Sequence, residues 1–290
     1  MNYRHVYHAG NFADVFKHAV MALVIEHLKI KPAPFRIVDT HAGTGGYDLG
    51  SLEAQKTGEW RDGIGRLLGE RLPADIAEIL APYLSAIAAE NPGCEGAVLK
   101  AYPGSPLIAR HLMRTCDQLV VNELHPDDFE QLDALLGRDR QTQVLGIDGW
   151  TALKSLLPPK ERRGLVLIDP PFEAPGELAR MLQGLRDGVQ RFATGTFVLW
   201  YPIKDRRPVE AFRLEAIGLG LEKLLDAELM VRTADGIGLA GCGLLIVNPP
   251  YTLPAMLARL LAYLAERLAQ GPGAASRVTW LAREGAAAIR

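Results

Sequence analysis

The sequence predicts an α/β protein whose core is one doubly wound, mostly parallel sheet of seven strands. Short apolar runs of strand length alternate with helical segments along most of the chain, as a parallel sheet covered by helices requires. Several of these runs end directly in an acidic residue, and ligands of open α/β sheets bind at the carboxyl ends of the strands. Residues 51–95 have helical periodicity, which predicts a helical insertion between the first two strands.

The composition is typical of a globular protein. Of the 290 residues, 48% are hydrophobic and 23% charged, which suits one large domain with an insertion. The 32 Lys and Arg residues nearly balance 34 Asp and Glu, so any contact with nucleic acid must depend on a local basic surface. The three cysteines lack the paired spacing of a disulfide framework or a metal site. Without a recognisable signal peptide or membrane-spanning run, we expect a soluble, cytoplasmic protein.

An N-terminal arm rich in aromatic, histidine and basic residues precedes the first helix. Asn11 is predicted to be the N-cap of that helix, and Asp14 falls in its first turn, where a carboxylate complements the helix dipole. The helix is predicted to run from Phe12 to about Lys29 on an apolar stripe at helical spacing. The helical pattern alone favours a solvated pair for Lys17 and His18, near the start of the helix.

The first predicted strand ends in Asp39 and leads into a turn that contains Gly43 and Gly45. Glycines at this spacing let the backbone approach a nucleotide-like ligand closely, although the turn is not a complete G-x-G-x-x-G motif. After the insertion, Ser105 is predicted to be the N-cap of a helix that begins at about Pro106.

Acidic residues recur at the ends of the next two predicted strands. The second strand ends at Glu123, where a carboxylate can accept hydrogen bonds from ribose hydroxyls. The third ends at Asp148, followed by Gly149, and this aspartate can accept from an adenine amino group. Either acid alone would more often be a solvated loop residue. Their recurrence at successive strand ends favours a nucleotide-like cofactor.

The fourth predicted strand, 165–168, is an unbroken apolar run that stops at Asp169-Pro170-Pro171-Phe172. The prolines cannot donate backbone hydrogen bonds, and their fixed φ angles force a rigid, extended turn that holds Asp169 at the end of a buried strand. A carboxylate, a proline carbonyl and an aromatic ring can hold a planar amine. The motif therefore favours methyl transfer to an exocyclic amino group over a plain strand and turn.

Asn248-Pro249-Pro250-Tyr251 is a second candidate for holding an amine, and by its letters it is the better match. Asp169 follows the fourth strand, beside the strands that carry the glycine turn and the two acids. Asn248 follows the seventh strand, after a hairpin-type connection. Chain order therefore favours Asp169.

Together these segments resemble the bacterial family that methylates N6 of an adenine in 23S ribosomal RNA, the large-subunit rRNA methyltransferase J family. The matching segments are YRHVYHAGNFADVFKH, DTHAGTGGYDLG, YPGSPLIAR, NELHP, DGW, RRGLVLIDPPF and RFATGTFVLWYP, with NPPY as a late match. The first seven run in order from residue 3 to about residue 202.

The resemblance implies a Rossmann-like methyltransferase domain, residues 1–50 and 96–290, that uses S-adenosylmethionine. The cofactor contacts that it implies are His18, His41, Ser105, Glu123, Asp148, Gly149 and Asp169. Lys17, which adjoins them, and Gly43 of the glycine turn belong to the same predicted site. Asp169 and the Pro170 carbonyl would accept hydrogen bonds from the amine, and Asp169 would take its proton. Phe172, where tyrosine is the commoner residue, would stack on the flipped base.

The expected partner is 23S ribosomal RNA, free or in an assembly intermediate, bound by a monomer that needs no metal. The family's N-terminal arm meets the RNA at the position of Tyr3. The candidates for phosphate contacts are Arg4, Lys17, Lys204, Arg206 and Arg207, with a solvated charge run as the alternative. Other functions left open are methylation of DNA adenine or protein glutamine, and a non-enzymatic ribosome-binding factor on the same fold.

Overall fold

The computed structural model of the protein describes residues 4–69, 71–94 and 98–283. Tyr3 lies outside the described residues. Ten strands are present in the described ranges: β1 (Arg36–Asp39), β2 (Gly46–Asp48), β3 (Ala101–Pro103), β4 (Gln118–Asn122), β5 (Thr142–Leu145), β6 (Gly164–Ile168), β7 (Thr196–Ile203), β8 (Leu224–Met230), β9 (Gly241–Val247) and β10 (Ala275–Ala282).

Eleven α-helices are present in the same ranges: α1 (Phe12–Lys29), α2 (Leu52–Thr57), α3 (Glu59–Asp62), α4 (Ile64–Leu68), α5 (Ala74–Ala89), α6 (Ser105–Leu112), α7 (Pro126–Leu136), α8 (Gly149–Leu156), α9 (Glu177–Arg191), α10 (Arg206–Gly218) and α11 (Leu253–Arg267). A 3-10 turn, His5–Tyr7, precedes them in the N-terminal arm. No helix in this described part of the chain is long and apolar enough to cross a bilayer.

Eight strands form one sheet in the order β10-β8-β9-β7-β6-β1-β4-β5. The pairs from β5 to β7 are parallel, whereas β9 runs antiparallel to both β7 and β8, and β10 antiparallel to β8. The predicted fold class is therefore confirmed. The carboxyl ends of β1, β4, β5, β6 and β7 meet at one edge, where a ligand of this type of sheet binds.

The sheet has one strand more than predicted. The additional strand, β10, pairs with β8 at the sheet edge and keeps all of its residues at least partly exposed. Because it lacks a buried apolar run, its sequence has no strong strand signal. A separate two-stranded ribbon, β2 with β3, was also not predicted, and each of its strands has only three residues.

The first helix is capped as predicted. The Asn11 side chain accepts hydrogen bonds from the backbone amides of Ala13 and Asp14 at 2.9 and 3.0 Å. The helix α1 packs against α5, α6 and α11, so it is covered around most of its circumference. The solvated interpretation of Lys17 and His18 is therefore wrong, since these residues are 6% and 1% exposed.

The predicted insertion contains the helices α2 to α5. The last of them, α5, packs against α1 and α6, and its Ile76, Leu80 and Tyr83 belong to the same hydrophobic core as Phe16. The boundaries at residues 51 and 95 stay a prediction.

Candidate active site

A cavity of about 840 Å³ lies along the carboxyl ends of the parallel strands. Its wall contains every residue predicted to bind the cofactor: Lys17, His18, His41, Gly43, Ser105, Glu123, Asp148, Gly149 and Asp169. The predicted amine-holding residues Pro170 and Phe172 line the same cavity. The structure thus brings together side chains from α1, from the N-terminus of α6 and from the ends of β1, β4, β5 and β6. Their individual roles stay predictions.

Lys17 joins two carboxylates at the floor of this cavity. Its ammonium group lies 3.0 Å from Asp14 Oδ1 and donates a hydrogen bond to Asp169 Oδ2. Burial by itself would lower the pKa of Lys17, but the charges of Asp169 and Asp14 outweigh it and hold this pKa well above its ordinary value. Lys17 is therefore a permanent cation beside the predicted catalytic aspartate.

Asp14 anchors this cation from the opposite side. Its Oδ2 accepts from the Gly10 amide at 2.9 Å, and His5 Nε2 lies at the same distance. Burial would raise the pKa of Asp14, but the nearby charges of His5 and Lys17 hold it well below the ordinary value. The first turn of α1 thereby ties the N-terminal arm to the reaction centre.

Asp39 and Ser105 are joined beneath the cavity. The Ser105 hydroxyl donates to Asp39 Oδ2 at 2.6 Å, and the His41 amide donates to Oδ1 at 3.2 Å. The helix α6 starts at Ser105 with Gly104 as its N-cap, so the prediction that Ser105 caps the helix is wrong. Its hydroxyl is directed instead to a partner 66 residues away. Burial raises the pKa of Asp39 to about 6, against these two hydrogen bonds.

The glycine turn after β1 is fixed by Glu123. The Gly43 amide donates to Glu123 Oε2 and the His125 amide to Oε1, both at 2.8 Å. Gly43 has a φ of +59°, and a Cβ at this position would lie 2.3 Å from the Tyr47 hydroxyl, so the turn requires glycine. Burial raises the pKa of Glu123, which these amides partly oppose.

Asp148 caps the helix that follows β5. Its Oδ1 accepts from the Thr151 amide at 2.9 Å, which leaves the carboxylate at the N-terminus of α8 and in the cavity wall. His41 faces the same helix and contacts Trp150 edge-on at 5.6 Å between ring centres. Burial lowers the pKa of His41 to about 4, so its imidazole is neutral at pH 7.

His18 is the start of a buried polar chain. Its Nδ1 lies 2.8 Å from the Tyr102 hydroxyl, which lies 3.1 Å from the hydroxyl of Tyr83 on α5. Burial lowers the pKa of His18 to about 3, despite the charge of Asp14. His18 is therefore a neutral hydrogen-bonding group that connects the cavity to the predicted insertion.

Phe172 is held by the rigid turn and by an aromatic neighbour. Its φ of +51° is in the left-handed region, which bulky residues rarely adopt. Its ring contacts Trp200 of β7 at 5.6 Å, with an angle of 67° between the planes. Backbone strain of this kind concentrates at functional sites.

The second Pro-Pro motif lies at the other edge of the sheet. Because β9 runs antiparallel to β7, its last residue pairs with Phe197 at the start of β7. The Asn248 amide nitrogen donates to the carbonyls of Ala193 and Gly195, both at 2.8 Å, and Tyr251 is 83% exposed. Asn248 therefore stabilises the loop before β7, at the opposite edge of the sheet from the cavity.

The predicted RNA-contacting residues are not equally placed. Lys204 is exposed and lines the cavity. Arg206 lies 2.5 Å from the buried carboxylate of Glu228, whereas Arg207 is highly exposed and lies 2.9 Å from Asp205. Arg4 contacts Asp128 on α7 at 3.1 Å.

Several residues of the cavity wall were missed from the sequence: His5, Tyr47, Trp150, Arg180 and Trp200. Trp150 and Trp200 lie in segments that matched the family, DGW and FVLWYP, so their place in these motifs was a usable signal. His5 and Tyr47, 5.2 Å apart between ring centres, are brought together only by the fold.

S-adenosylmethionine fits this cavity in size and in charge. The volume lies within the range of about 300–1,000 Å³ that is usual for small-molecule sites. Glu123, Asp148 and Asp169 give the wall negative charge, which complements a sulfonium and an ammonium group. Each carboxylate oxygen has two lone pairs, so Glu123 can bind the turn and still accept from a ligand.

Comparison with known proteins identifies the family. A family model described as ribosomal RNA large subunit methyltransferase D, RlmJ, matches residues 32–282. Two proteins named ribosomal RNA large subunit methyltransferase J, from Haemophilus influenzae and Escherichia coli, are each 40% identical to this chain over 98% of its length and 100% of theirs. The crystal structure of a Legionella pneumophila protein is 33% identical and superposes with a TM-score of 0.84, over 94% of this chain and 98% of the other.

These matches confirm the resemblance inferred from the sequence and contradict the alternative of a non-enzymatic factor. The protein is an rRNA methyltransferase, and S-adenosylmethionine is its cofactor. The chain belongs to the ribosomal RNA large subunit methyltransferase J family.

Proposed function

We propose that the protein methylates N6 of one adenine in 23S ribosomal RNA, with Asp169, Pro170 and Phe172 holding the target base. The observation that carries this proposal is the strand-end motif itself. A carboxylate, a rigid Pro-Pro turn and an aromatic ring line one cavity that is large enough for a cofactor and a base edge.

The chemistry follows from the weakness of the nucleophile. The lone pair of an adenine N6 amine is delocalised into the ring, so the amine attacks poorly. Asp169 and the Pro170 carbonyl accept its two N–H bonds and favour a geometry in which the lone pair is available. S-adenosylmethionine, when bound, supplies the electrophilic methyl group. Asp169 then accepts the proton that the methylated nitrogen loses.

Lys17 supports this role of Asp169. It bonds to Oδ2, and the other carboxylate oxygen, Oδ1, has its own lone pairs for the amine. The hydrogen bond from Lys17 fixes the orientation of the Asp169 carboxylate. Asp14, which is 1% exposed, shares the same cation and fixes its position.

The target adenine has to leave its stack to reach this motif, at a cost of a few kcal/mol. Phe172 offsets part of that cost by stacking on the base, which is worth about 1–3 kcal/mol in single-strand binding sites. The edge-on contact with Trp200 stiffens the Phe172 ring in this role.

The RNA surface that we propose consists of one aromatic and four basic residues. It comprises Tyr3 and Arg4 of the N-terminal arm, and Lys204, Arg206 and Arg207 after β7. Lys204 has the strongest support because it is exposed and lines the cavity. Arg206 has the weakest, since Glu228 already binds it. We further propose a cytoplasmic monomer that acts without a metal on free 23S rRNA or on an assembly intermediate.

Mass mapping of methyladenine in 23S rRNA tests the proposal. Cells that lack the protein should lose one N6-methyladenine, and the wild-type protein should restore it, whereas Asp169→Asn should not. Purified protein with labelled S-adenosylmethionine should label deproteinised 23S rRNA in the presence of a chelator, and should label neither duplex DNA nor protein. An unchanged methylation map would refute the proposal.

A further inference from the structure

The β8–β9 hairpin presents an apolar side chain beside the cavity mouth. The hairpin leaves β8 at the same edge of the sheet as Asp169, and its residues Gly238 and Leu239 line the cavity. The neighbouring residue, Ile237, is 76% exposed. A single exposed isoleucine is common on protein surfaces. Ile237 differs from such residues in its position beside the cavity and in the rigidity of the hairpin tip.

The tip is held by hydrogen bonds to both backbone groups of Ile237. Its amide donates to Asp235 Oδ1 at 2.9 Å, and its carbonyl accepts from the Arg232 guanidinium. Arg232 also binds Asp235 Oδ2 at 2.8 Å, and Gly236, with a φ of +79°, donates to the Lys204 carbonyl at 3.0 Å. The backbone of the tip is therefore fixed, with the Ile237 side chain exposed to solvent.

The base of the hairpin is fixed as well. The Thr233 amide and hydroxyl both donate to the Pro272 carbonyl, at 2.7 and 2.9 Å, and the Gln270 amide donates to the Val231 carbonyl at 2.8 Å. Because the backbone of this segment is already ordered, little backbone entropy is lost when Ile237 enters a partner.

The position of the tip identifies its partner. Gly238 and Leu239 belong to the cavity wall, so a molecule whose base occupies the cavity lies close to the neighbouring Ile237. Lys204 lies directly beside the tip and offers an ammonium group to a phosphate backbone. An apolar group next to a cation suits a nucleic-acid strand, in which an unstacked base step adjoins phosphates.

We propose that Ile237 enters the RNA base stack beside the target adenine and fills the space that this base leaves when it flips into the cavity. This role rests on the proposed function, because it requires a flipped adenine. Isoleucine has no hydrogen-bonding groups, so it contributes to unstacking without reading sequence. Apolar side chains that are inserted between base steps act in this way in other nucleic-acid-binding proteins.

The test compares Ile237→Ala with a matched control, Leu214→Ala, which removes a 70% exposed leucine on α10 away from the cavity. Substrates are deproteinised 23S rRNA with the mapped adenine in its native stem, and a short single-stranded oligonucleotide with the same sequence. Ile237→Ala should lower kcat/KM about tenfold on the structured RNA and leave the single strand nearly unaffected, because only a stacked adenine needs the filler. Ile237→Leu should restore activity, and Leu214→Ala should match wild type on both substrates.

A second measurement reads unstacking directly. With 2-aminopurine in place of the target adenine, binding of wild-type protein should raise fluorescence strongly, and binding of the Ile237→Ala variant should raise it less. Equal fluorescence, or an equal loss of kcat/KM on both substrates, overturns the proposal for Ile237. A loss seen only on pre-ribosomal particles and absent on deproteinised RNA also overturns it and indicates a protein partner. If wild-type protein methylates neither of these RNAs nor a pre-ribosomal particle, the proposed function itself fails, whatever Ile237 does.

Discussion

Replacing Asp169 by Asn separates proton acceptance from the architecture of the site. Asparagine has nearly the same shape, and its amide oxygen can still accept from Lys17, which also keeps its 3.0 Å contact with Asp14. The cavity wall therefore stays intact, and what is lost is a negative charge and a proton acceptor. A positioned general base contributes about 10²–10⁴-fold, or roughly 3–5 kcal/mol of transition-state stabilisation.

Single-turnover transfer of a labelled methyl group to 23S rRNA measures this loss, and calorimetry measures cofactor affinity in parallel. Turnover by Asp169→Asn should nearly vanish, while S-adenosylmethionine still binds measurably. Near-normal turnover would refute the acid–base role.

Asn248→Gly is the matched variant of the second Pro-Pro motif, and glycine tolerates the φ of +50° at that position. It removes the amide that binds the carbonyls of Ala193 and Gly195 but nothing in the cavity. Its turnover should stay near that of wild type. Activity lost in this variant and kept in Asp169→Asn would reverse the assignment of the two motifs.

Three further predictions follow from the buried charges and from the cavity mouth. Lys17→Met leaves the buried carboxylate of Asp14 and the partly exposed one of Asp169 without their shared cation. It should lower the free energy of unfolding by about 3–5 kcal/mol in urea titrations. Lys29→Met breaks a partly exposed pair with Glu26 on the same helix and should lower it by about 0–1 kcal/mol. Equal losses would show that burial does not strengthen the Lys17 cluster. His18 has a folded pKa of about 3, against an ordinary value of 6.5, so its stabilising effect is complete above pH 6.5 and is lost as the pH falls toward 3. His18→Gln should therefore reduce the slope of the free energy of unfolding against pH, on the acid side, by up to about 1.4 kcal/mol per pH unit. His111→Gln, on the exposed side of α6, should not change that slope. Parallel profiles for wild type and His18→Gln would contradict the assignment of a neutral buried imidazole. The double variant Lys204→Ala, Arg207→Ala should reduce the slope of log affinity for RNA against log salt concentration by about 1–2. The control variant Lys160→Ala changes an exposed residue before β6, at the opposite edge of the sheet, and should not alter this slope. An unchanged slope in the double variant would remove both residues from the RNA surface.

The sequence was most informative where chemistry and local structure coincide. The run Leu165–Ile168 is buried at every position, and the turn after it delivers Asp169 to the cavity, as apolar pattern and proline geometry predicted. Asn11 caps α1 through two backbone amides because capping depends only on residues within one helical turn. Glu123 and Asp148 reach the same cavity because parallel strands end at one edge of the sheet.

Long-range contacts explain what local pattern could not predict. Lys17 and His18 are buried because α5, more than fifty residues along the chain, packs on α1. The Ser105 hydroxyl binds Asp39 rather than its own helix, and Arg206 binds Glu228 of the next strand, β8. Tertiary structure decides both pairings, and no local sequence pattern predicts either of them.

The exposed strand β10 has a consequence for the solubility of the protein. It covers β8, which is buried at all seven positions, and its own outer edge carries Arg277 and a register shift between Trp280 and Ala282. Charged and irregular edges of this kind resist pairing with another molecule. A chain that ends at residue 274 would open β8 as a straight, unprotected template for intermolecular strands, and it should sediment as aggregates where the full chain stays dispersed. The edge strand β10 therefore protects the sheet against pairing with another molecule.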